Sequence, residues 1–245
     1  MQRSAIVHLG WDDVWEAALA EQGADGEPGR IVRVERGESD VWTSAGEIRA
    51  RSDSVRSQSE LAPVTGDWVT VVDDEDGDAV IETILTRRSV LSRRDPGERG
   101  EEQALSANVD VVFLIHGFDR PFRAGRLERF LVLAWNSGAT PVVVLTKLDL
   151  AKPDQVSELT GVVEAVAPGV AVVTTSIHTG EGLETIAEML AGSRTGALLG
   201  ESGSGKSSLV NALIGRDVQD TAEVRRGDAK GRHTTITRDL IVLPG

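Results

Sequence analysis

Cysteine is absent from this sequence of 245 residues, which excludes disulfides and any cysteine-ligated metal site within the chain. No apolar run approaches the roughly 20 residues that a membrane span needs, so no membrane contact is expected. The first residues, MQRSAIVHLGWDDVWEAAL, carry acids where a secretory signal holds its apolar stretch. These absences point to a cytoplasmic protein. Aromatic residues are scarce, at 4%. A core needs most of them, which leaves few for stacking on nucleic-acid bases. Positive charge is also short. Lys+Arg 26 against Asp+Glu 39 gives a formal net charge of -13, which disfavours nucleic acid as a partner of the chain as a whole.

What is present is ordinary for a globular protein: 40% hydrophobic and 27% charged residues, enough for one large domain or two modest ones. The charge is uneven. Arg87, Arg88, Arg93 and Arg94 lie close together, as do Arg225, Arg226, Lys230 and Arg232, while acids gather in 73–78. Both arginine groups are candidates for phosphate contact, with solvated surface nearly as good a reading. The acidic run is read as a solvated hairpin turn in preference to a cation loop.

Periodicity divides the chain. Residues 12–20 read as a short amphipathic helix with Asp12 as N-cap and Val14, Trp15, Ala18 and Leu19 on one side. Five short β-like runs follow: 31–34, 41–43, 47–50, 67–72 and 79–85. Gly- and Asp-containing turns separate them, and 52–60 is a polar loop, so a small β-barrel is expected over 30–92. Residues 1–29 form an N-terminal helix and linker, and the charged, Pro/Gly-bearing stretch 93–106 a second linker. Beyond it, buried-strand runs at 109–115, 141–145, 170–174 and 197–199 alternate with helical stretches near 123–136, 154–166 and 182–191. That alternation predicts an α/β domain over 107–245, with a parallel sheet covered on both faces. Trp42 and Trp68 fall on barrel strands, where base stacking is a minor possibility. Trp135 falls in a helical apolar pattern and is expected in the core. His8 and His116 carry no partner pattern.

Gly200-Glu-Ser-Gly-Ser-Gly205-Lys206-Ser207 fits the phosphate-loop pattern GxxxxGK[ST] at every fixed position. Average residue usage produces such a match about once per hundred proteins of this size. The flanks sharpen it, with a strand before and the apolar helix 207–214 after. Glycines let the backbone wrap phosphates with its N–H groups inward, and the helix N-terminus adds favourable potential. Glu201, Ser202, Gly203, Ser204, Gly205, Lys206, Ser207 and Ser208 are therefore candidate nucleotide contacts. Lys206 reaches the β- and γ-phosphates, and Ser207 offers its hydroxyl to Mg²⁺.

Thr146-Lys147-Leu148-Asp149 ends an apolar strand, where ligands of parallel sheets bind. An Asp there accepts from the N1–H and exocyclic amine of guanine, an edge that adenine does not present. Lys147 lays its stem along the base. One strand later, Ser176 and Ile177 stand where a backbone N–H meets the guanine carbonyl, and His178 lines that loop. Asp149 argues against an ATP-dependent alternative. GTP or GDP is the expected ligand.

The base readers precede the phosphate loop, the reverse of the order in ordinary small GTPases. In that order, and in 64–69 (VTGDWV), 107–110 (ANVD), 180–182 (GEG) and 231–235 (GRHTT), the sequence resembles the RsgA family of circularly permuted GTPases over about 30–245. The resemblance implies an OB-fold barrel, a permuted P-loop GTPase domain, and GTP hydrolysis in late maturation of the small ribosomal subunit. Its partners are then the subunit with its rRNA, and the factor itself is expected as a monomer. It also implies a switch loop at 215–235, in which Thr234 or Thr235 holds Mg²⁺ and His233 orients or deprotonates the attacking water. The family pattern continues past Gly245 with a strand, a DxPG motif and a zinc-binding domain. No DxPG occurs here, so a C-terminally truncated member is expected, in which strand 237–243 lacks a neighbour and turnover is weak. The alternative is an RNA-binding barrel whose site binds guanine nucleotide without turnover.

Overall fold

The computed structural model describes residues 3–52, 62–94, 102–215 and 238–244. The loop expected at 52–60 lies outside these apart from Ser52, as does the arginine group at 225–232. The chain divides into two compact units, Met1–Val109 with Thr234–Val242, and Asp110–His233 with Leu243–Gly245.

The first unit opens with a 3-10 turn, Arg3–Leu9, and the helix α1, Asp13–Gln22. Asp12 caps α1, its carboxylate accepting from the N–H groups of Val14 at 3.0 Å and Trp15 at 2.9 Å. Trp15 and Leu19 are buried, but Val14, expected on the same side, is 61% exposed. It sits one residue, about 100°, around the helix from Trp15.

Five strands follow: β1 (Glu27–Val34), β2 (Glu38–Thr43), β3 (Gly46–Arg51), β4 (Trp68–Asp73) and β5 (Ala79–Ile84). They close into a barrel in the order β1-β2-β3-β5-β4, with β4 pairing back onto β1. This is an OB-type barrel. Ile31, Val41, Ala50, Val69, Val71 and Ile81 fill it. A second cluster joins Ile6, Leu9, Trp11, Trp15, Leu19, Trp68 and Leu85. Trp68 is 1% exposed and meets Trp11 edge-on at 4.9 Å, so base stacking on Trp68 is ruled out. Trp42 is half-buried against the edge of His8 at 5.6 Å.

The turn at 64–69 owes its residues to packing. A Cβ on Gly66, whose φ is +94°, falls 2.2 Å from the Ala107 carbonyl oxygen. Beside it the fully buried Asp67 accepts both arms of Arg87 at 2.7 Å and the Val64 N–H at 2.9 Å. Burial pushes the Asp67 carboxyl up against the pull of Arg87. Arg88 donates to Asp12 at 2.6 Å and lies 4.0 Å over Trp15. Two arginines of the 87–94 group are thus engaged within the unit. The run 73–78 is a hairpin turn, in which the Asp74 carboxylate accepts from the N–H groups of Asp76 and Asp78.

Where a linker was expected at 93–106, β6 (Val90–Arg94) and β7 (Glu102–Ala107) pair antiparallel. The charged composition of the stretch hides this ribbon, which is anchored by the buried Leu91 and Ala107. Residues 238–242, expected as a strand of the second domain, join the first unit instead. The Leu240 N–H donates to the Val32 carbonyl at 2.8 Å, Arg33 pairs with Asp239 at 2.7 Å, and Val242 packs on the Trp68 cluster. The pairing of β1 with β2 shifts register between Ile31 and Arg33, which leaves Val32 outside that ladder and its carbonyl available.

The second unit is a four-stranded parallel sheet in the order β10-β9-β8-β11. Its strands are β8 (Val111–Gly117), β9 (Thr140–Thr146), β10 (Ala171–Thr174) and β11 (Gly196–Gly200). The helices are α2 (Ala124–Ser137), α3 (Pro153–Val166), α4 (Leu183–Met189) and α5 (Lys206–Ile214). Val111, Phe113, Ile115, Val142, Val144 and Val173 pack with Ile186 and Leu209, while Val112, Leu114, Val143 and Leu145 are buried on the other face. Burial on both faces accounts for the unbroken apolar runs. Trp135, expected in the core, is 53% exposed. The buried positions of α2 are Leu127, Leu131, Ala134 and Ser137, and Trp135 is one step around the helix from that stripe. Among the described residues, no helix is long and apolar enough to cross a membrane.

Candidate nucleotide site

All four parallel strands end on one edge, at Gly117, Thr146, Thr174 and Gly200. The side chains singled out in the sequence converge there, because parallel strands direct their C-terminal loops to the same side. The phosphate loop runs from β11 into α5. A Cβ on Gly200 falls 2.6 Å from the Ile115 carbonyl oxygen and 2.8 Å from Ser204 Oγ, so no larger residue fits there. Ser202 and Gly203 are exposed, Ser204 is buried, and Gly205, Lys206, Ser207 and Ser208 are half-buried at the helix start. Among the described residues Ser204 Oγ is buried without a hydrogen-bond partner. The Lys206 ammonium donates to the carbonyls of Gly200 at 2.8 Å and Glu201 at 2.7 Å. Burial, and then the nearby charge of Arg120, hold its pKa below the ordinary lysine range. The Glu201 carboxylate forms an ion pair with Arg126 of α2.

At the end of β9 the Thr146 hydroxyl donates to the Ser204 carbonyl at 2.6 Å. Lys147 adopts a left-handed backbone with φ of +63°, which turns the chain off the strand. Its ammonium donates to Asp119 Oδ2 at 2.7 Å and to the Gly203 carbonyl at 2.9 Å. Asp149 Oδ1 accepts the Ser176 hydroxyl at 2.5 Å. That hydrogen bond holds the exposed Asp149 carboxyl below the ordinary carboxylate range. Ser176 Oγ in turn accepts the His178 N–H at 3.2 Å, and Ile177 is 42% exposed. The structure therefore joins 146–149 to both 176 and the phosphate loop. His233, Thr234 and Thr235 lie outside the described residues.

Two residues not singled out from the sequence complete the group. Asp119 and Arg120 follow β8, the strand whose end lies between β9 and β11. Asp119 holds Lys147, and the Arg120 guanidinium donates to the carbonyls of Ser202 at 2.9 Å and Gly203 at 2.7 Å. Their signal was position alone, the C-terminal end of a buried parallel strand.

A GxxxxGK[ST] loop and the TKLD string on one sheet edge, with TKLD first in the chain, fit a circularly permuted P-loop GTPase fold. The model of the RsgA GTPase family matches residues 84–245, and the chain belongs to that family. It is 47% identical over 245 residues to the small ribosomal subunit biogenesis GTPase RsgA of Streptomyces avermitilis, covering 98% of this chain and 65% of that protein. The RsgA of Streptomyces coelicolor is 46% identical over 246 residues, covering 99% and 66%. The chain thus spans about two-thirds of the length of these relatives. The crystal structure of YjeQ from Thermotoga maritima superposes with a TM-score of 0.62 at 30% identity, covering 76% of this chain and 64% of that one. YloQ, described as a circularly permuted GTPase, shares the fold with a TM-score of 0.57 at 24% identity.

Proposed function

We propose that the second unit binds GTP and GDP with Mg²⁺ and hydrolyses GTP, and that the protein acts in the cytoplasm in maturation of the small ribosomal subunit, with the subunit and its rRNA as partners. The observation that carries the nucleotide reading is the single network Ser176–Asp149 and Lys147–Gly203, Thr146–Ser204, which ties a guanine-selecting carboxylate to a phosphate loop. The maturation role rests on family membership.

The residues present fit the nucleotide. Lys206 is a half-buried cation held by carbonyls, which a phosphate oxygen can replace, and Ser204 Oγ is a buried hydroxyl free to donate. The Asp149 carboxylate, kept ionised by Ser176, accepts from the N1–H and amine of guanine, and the Ser176–Ile177 backbone faces the guanine carbonyl. Glu201, Ser202, Gly203, Ser204, Gly205, Lys206, Ser207 and Ser208 surround the phosphates. Among the described residues no cluster of acids or histidines could hold a metal. The Ser207 hydroxyl, with Thr234 or Thr235, would hold Mg²⁺. When bound, the ion would neutralise charge on the phosphates. Lys206 does the same from the protein side in the loose transition state of phosphoryl transfer, and His233 is assigned to the attacking water. The rival reading, an RNA-binding barrel with an inert site, is not favoured among the described residues, where Trp68 is in the core and Arg87 and Arg88 are paired.

The test is titration of the purified chain with a fluorescent GDP analogue in Mg²⁺, competed with GDP, GTP and ATP. Displacement by guanine nucleotides alone supports the site. Displacement by ATP as well, or no binding, overturns it. Single-turnover GTP cleavage with and without small subunits then tests hydrolysis.

A further inference from the structure

Four consecutive carbonyls of the phosphate loop are each engaged by a cation. Gly200 and Glu201 accept from Lys206, Ser202 from Arg120, and Gly203 from both Arg120 and Lys147. Lys206 belongs to the phosphate-loop motif and Lys147 to the base reader. Arg120 belongs to neither. It comes from the loop after β8, and both of its terminal nitrogens are spent on the loop backbone. Asp119 holds it in place: Oδ1 accepts from Arg120 Nε at 3.4 Å and Oδ2 from Lys147 Nζ at 2.7 Å. One carboxylate thus fixes two cations on the same stretch of loop.

Charge gives this arrangement its consequence. Lys206, Arg120, Lys147 and Arg126 carry four positive charges around the loop. Among the described residues Asp119, Glu201 and Asp149, whose carboxylate feels the charge of Lys147, oppose them, leaving an excess of one in a chain of net charge -13. The guanidinium stands near enough to the Lys206 ammonium to disfavour its charge, and it acts on His116 in the same sense. Mutually repelling cations held in place by carbonyls form a pre-arranged field for a polyanion.

We propose that Arg120, positioned by Asp119, is a second phosphate-neutralising cation of this site, one that strengthens binding in proportion to the number of phosphates on the nucleotide. The proposal rests on the guanine-nucleotide reading above. A guanidinium fixed by the backbone gives up little rotamer freedom when the ligand arrives, which suits arginine better than lysine for the bidentate hold. Its Coulomb contribution scales with ligand charge, whereas a purely mechanical clamp acts on every ligand of the pocket alike.

The experiment measures GMP, GDP and a non-hydrolysable GTP analogue by competition titration across a salt series, in wild type, Arg120→Gln, Arg120→Lys and Arg129→Gln. Arg129 is an exposed arginine of α2 and controls for lost net charge. Glutamine keeps a donor for the loop carbonyls and removes the charge; lysine keeps the charge and loses the fork. Arg120→Gln is expected to weaken GDP about tenfold and the triphosphate more, with GMP changed less than about threefold and a shallower salt dependence for GDP. Arg120→Lys should fall between Arg120→Gln and wild type. Equal losses for all three ligands, or GDP affinity unchanged from the Arg129→Gln control, overturn the proposal while wild-type guanine selectivity still stands. Absence of GDP binding by the wild type removes the parent reading, and this one with it.

Discussion

The Thr146 hydroxyl donates to the Ser204 carbonyl at 2.6 Å, across 58 residues of sequence. The end of β9 and the loop that enters α5 are thereby held at fixed separation, with both partners buried. Thr146→Val keeps the shape and removes the donor, leaving the Ser204 carbonyl buried without it. The expected cost is about 1–3 kcal/mol of stability by denaturant unfolding. GDP affinity should weaken at the same time. A variant with wild-type stability and affinity removes the coupling.

Asp149 bonds the Ser176 hydroxyl, and that bond holds its carboxyl below the ordinary range. Guanine recognition needs the carboxylate, so affinity persists above the depressed pKa and is lost as pH falls through it. Ser176→Ala removes the cause of the depression. The acid limb of the GDP affinity profile should then move to higher pH. A profile that overlays the wild type contradicts the assignment.

Replacing the carboxylate itself reverses the hydrogen-bond pattern. Asp149→Asn should shift preference from guanine to xanthine nucleotides, read by competition with GDP and XDP. Unchanged GTP selectivity sinks the guanine assignment.

In the barrel unit, Arg87 grips Asp67 through two bonds of 2.7 Å, with both side chains buried. Removing one partner leaves an unpaired buried charge. Arg87→Ala is expected to cost about 3–5 kcal/mol by chemical denaturation. The double variant Arg87→Ala with Asp67→Ala should cost less than the two singles added together.

The tryptophans separate core from surface. Trp68→Ala should lower stability by about 3–5 kcal/mol, as deletion of a buried indole does. Trp135→Ala should change it by no more than about 0.5 kcal/mol, because the ring is half exposed and alanine suits a helix. A large loss at Trp135 places a partner element over that face of α2.

Elements whose signal is local were legible in the order of residues alone. Short β-like runs between Gly- and Asp-containing turns marked the barrel strands, unbroken apolar runs the parallel strands, and Asp12 the start of α1. The phosphate loop and the TKLD string were legible because their chemistry fixes residue type and spacing along the chain. Burial of single side chains was not, since one helical step of about 100° separates Ala134 from Trp135 and Trp15 from Val14. The ribbon of β6 and β7 was hidden because the stretch 93–106 is dominated by charged residues, Pro and Gly, and neither strand carries an unbroken apolar run. Residues 238–242 carry a strand's pattern, yet a free carbonyl on Val32 decided what they pair with. Asp119 and Arg120 form no motif. Only the sheet, by bringing the end of β8 beside the ends of β9 and β11, placed their charges on the phosphate loop. Hydrogen bonds and Coulomb forces act through space, between residues that sequence order keeps far apart.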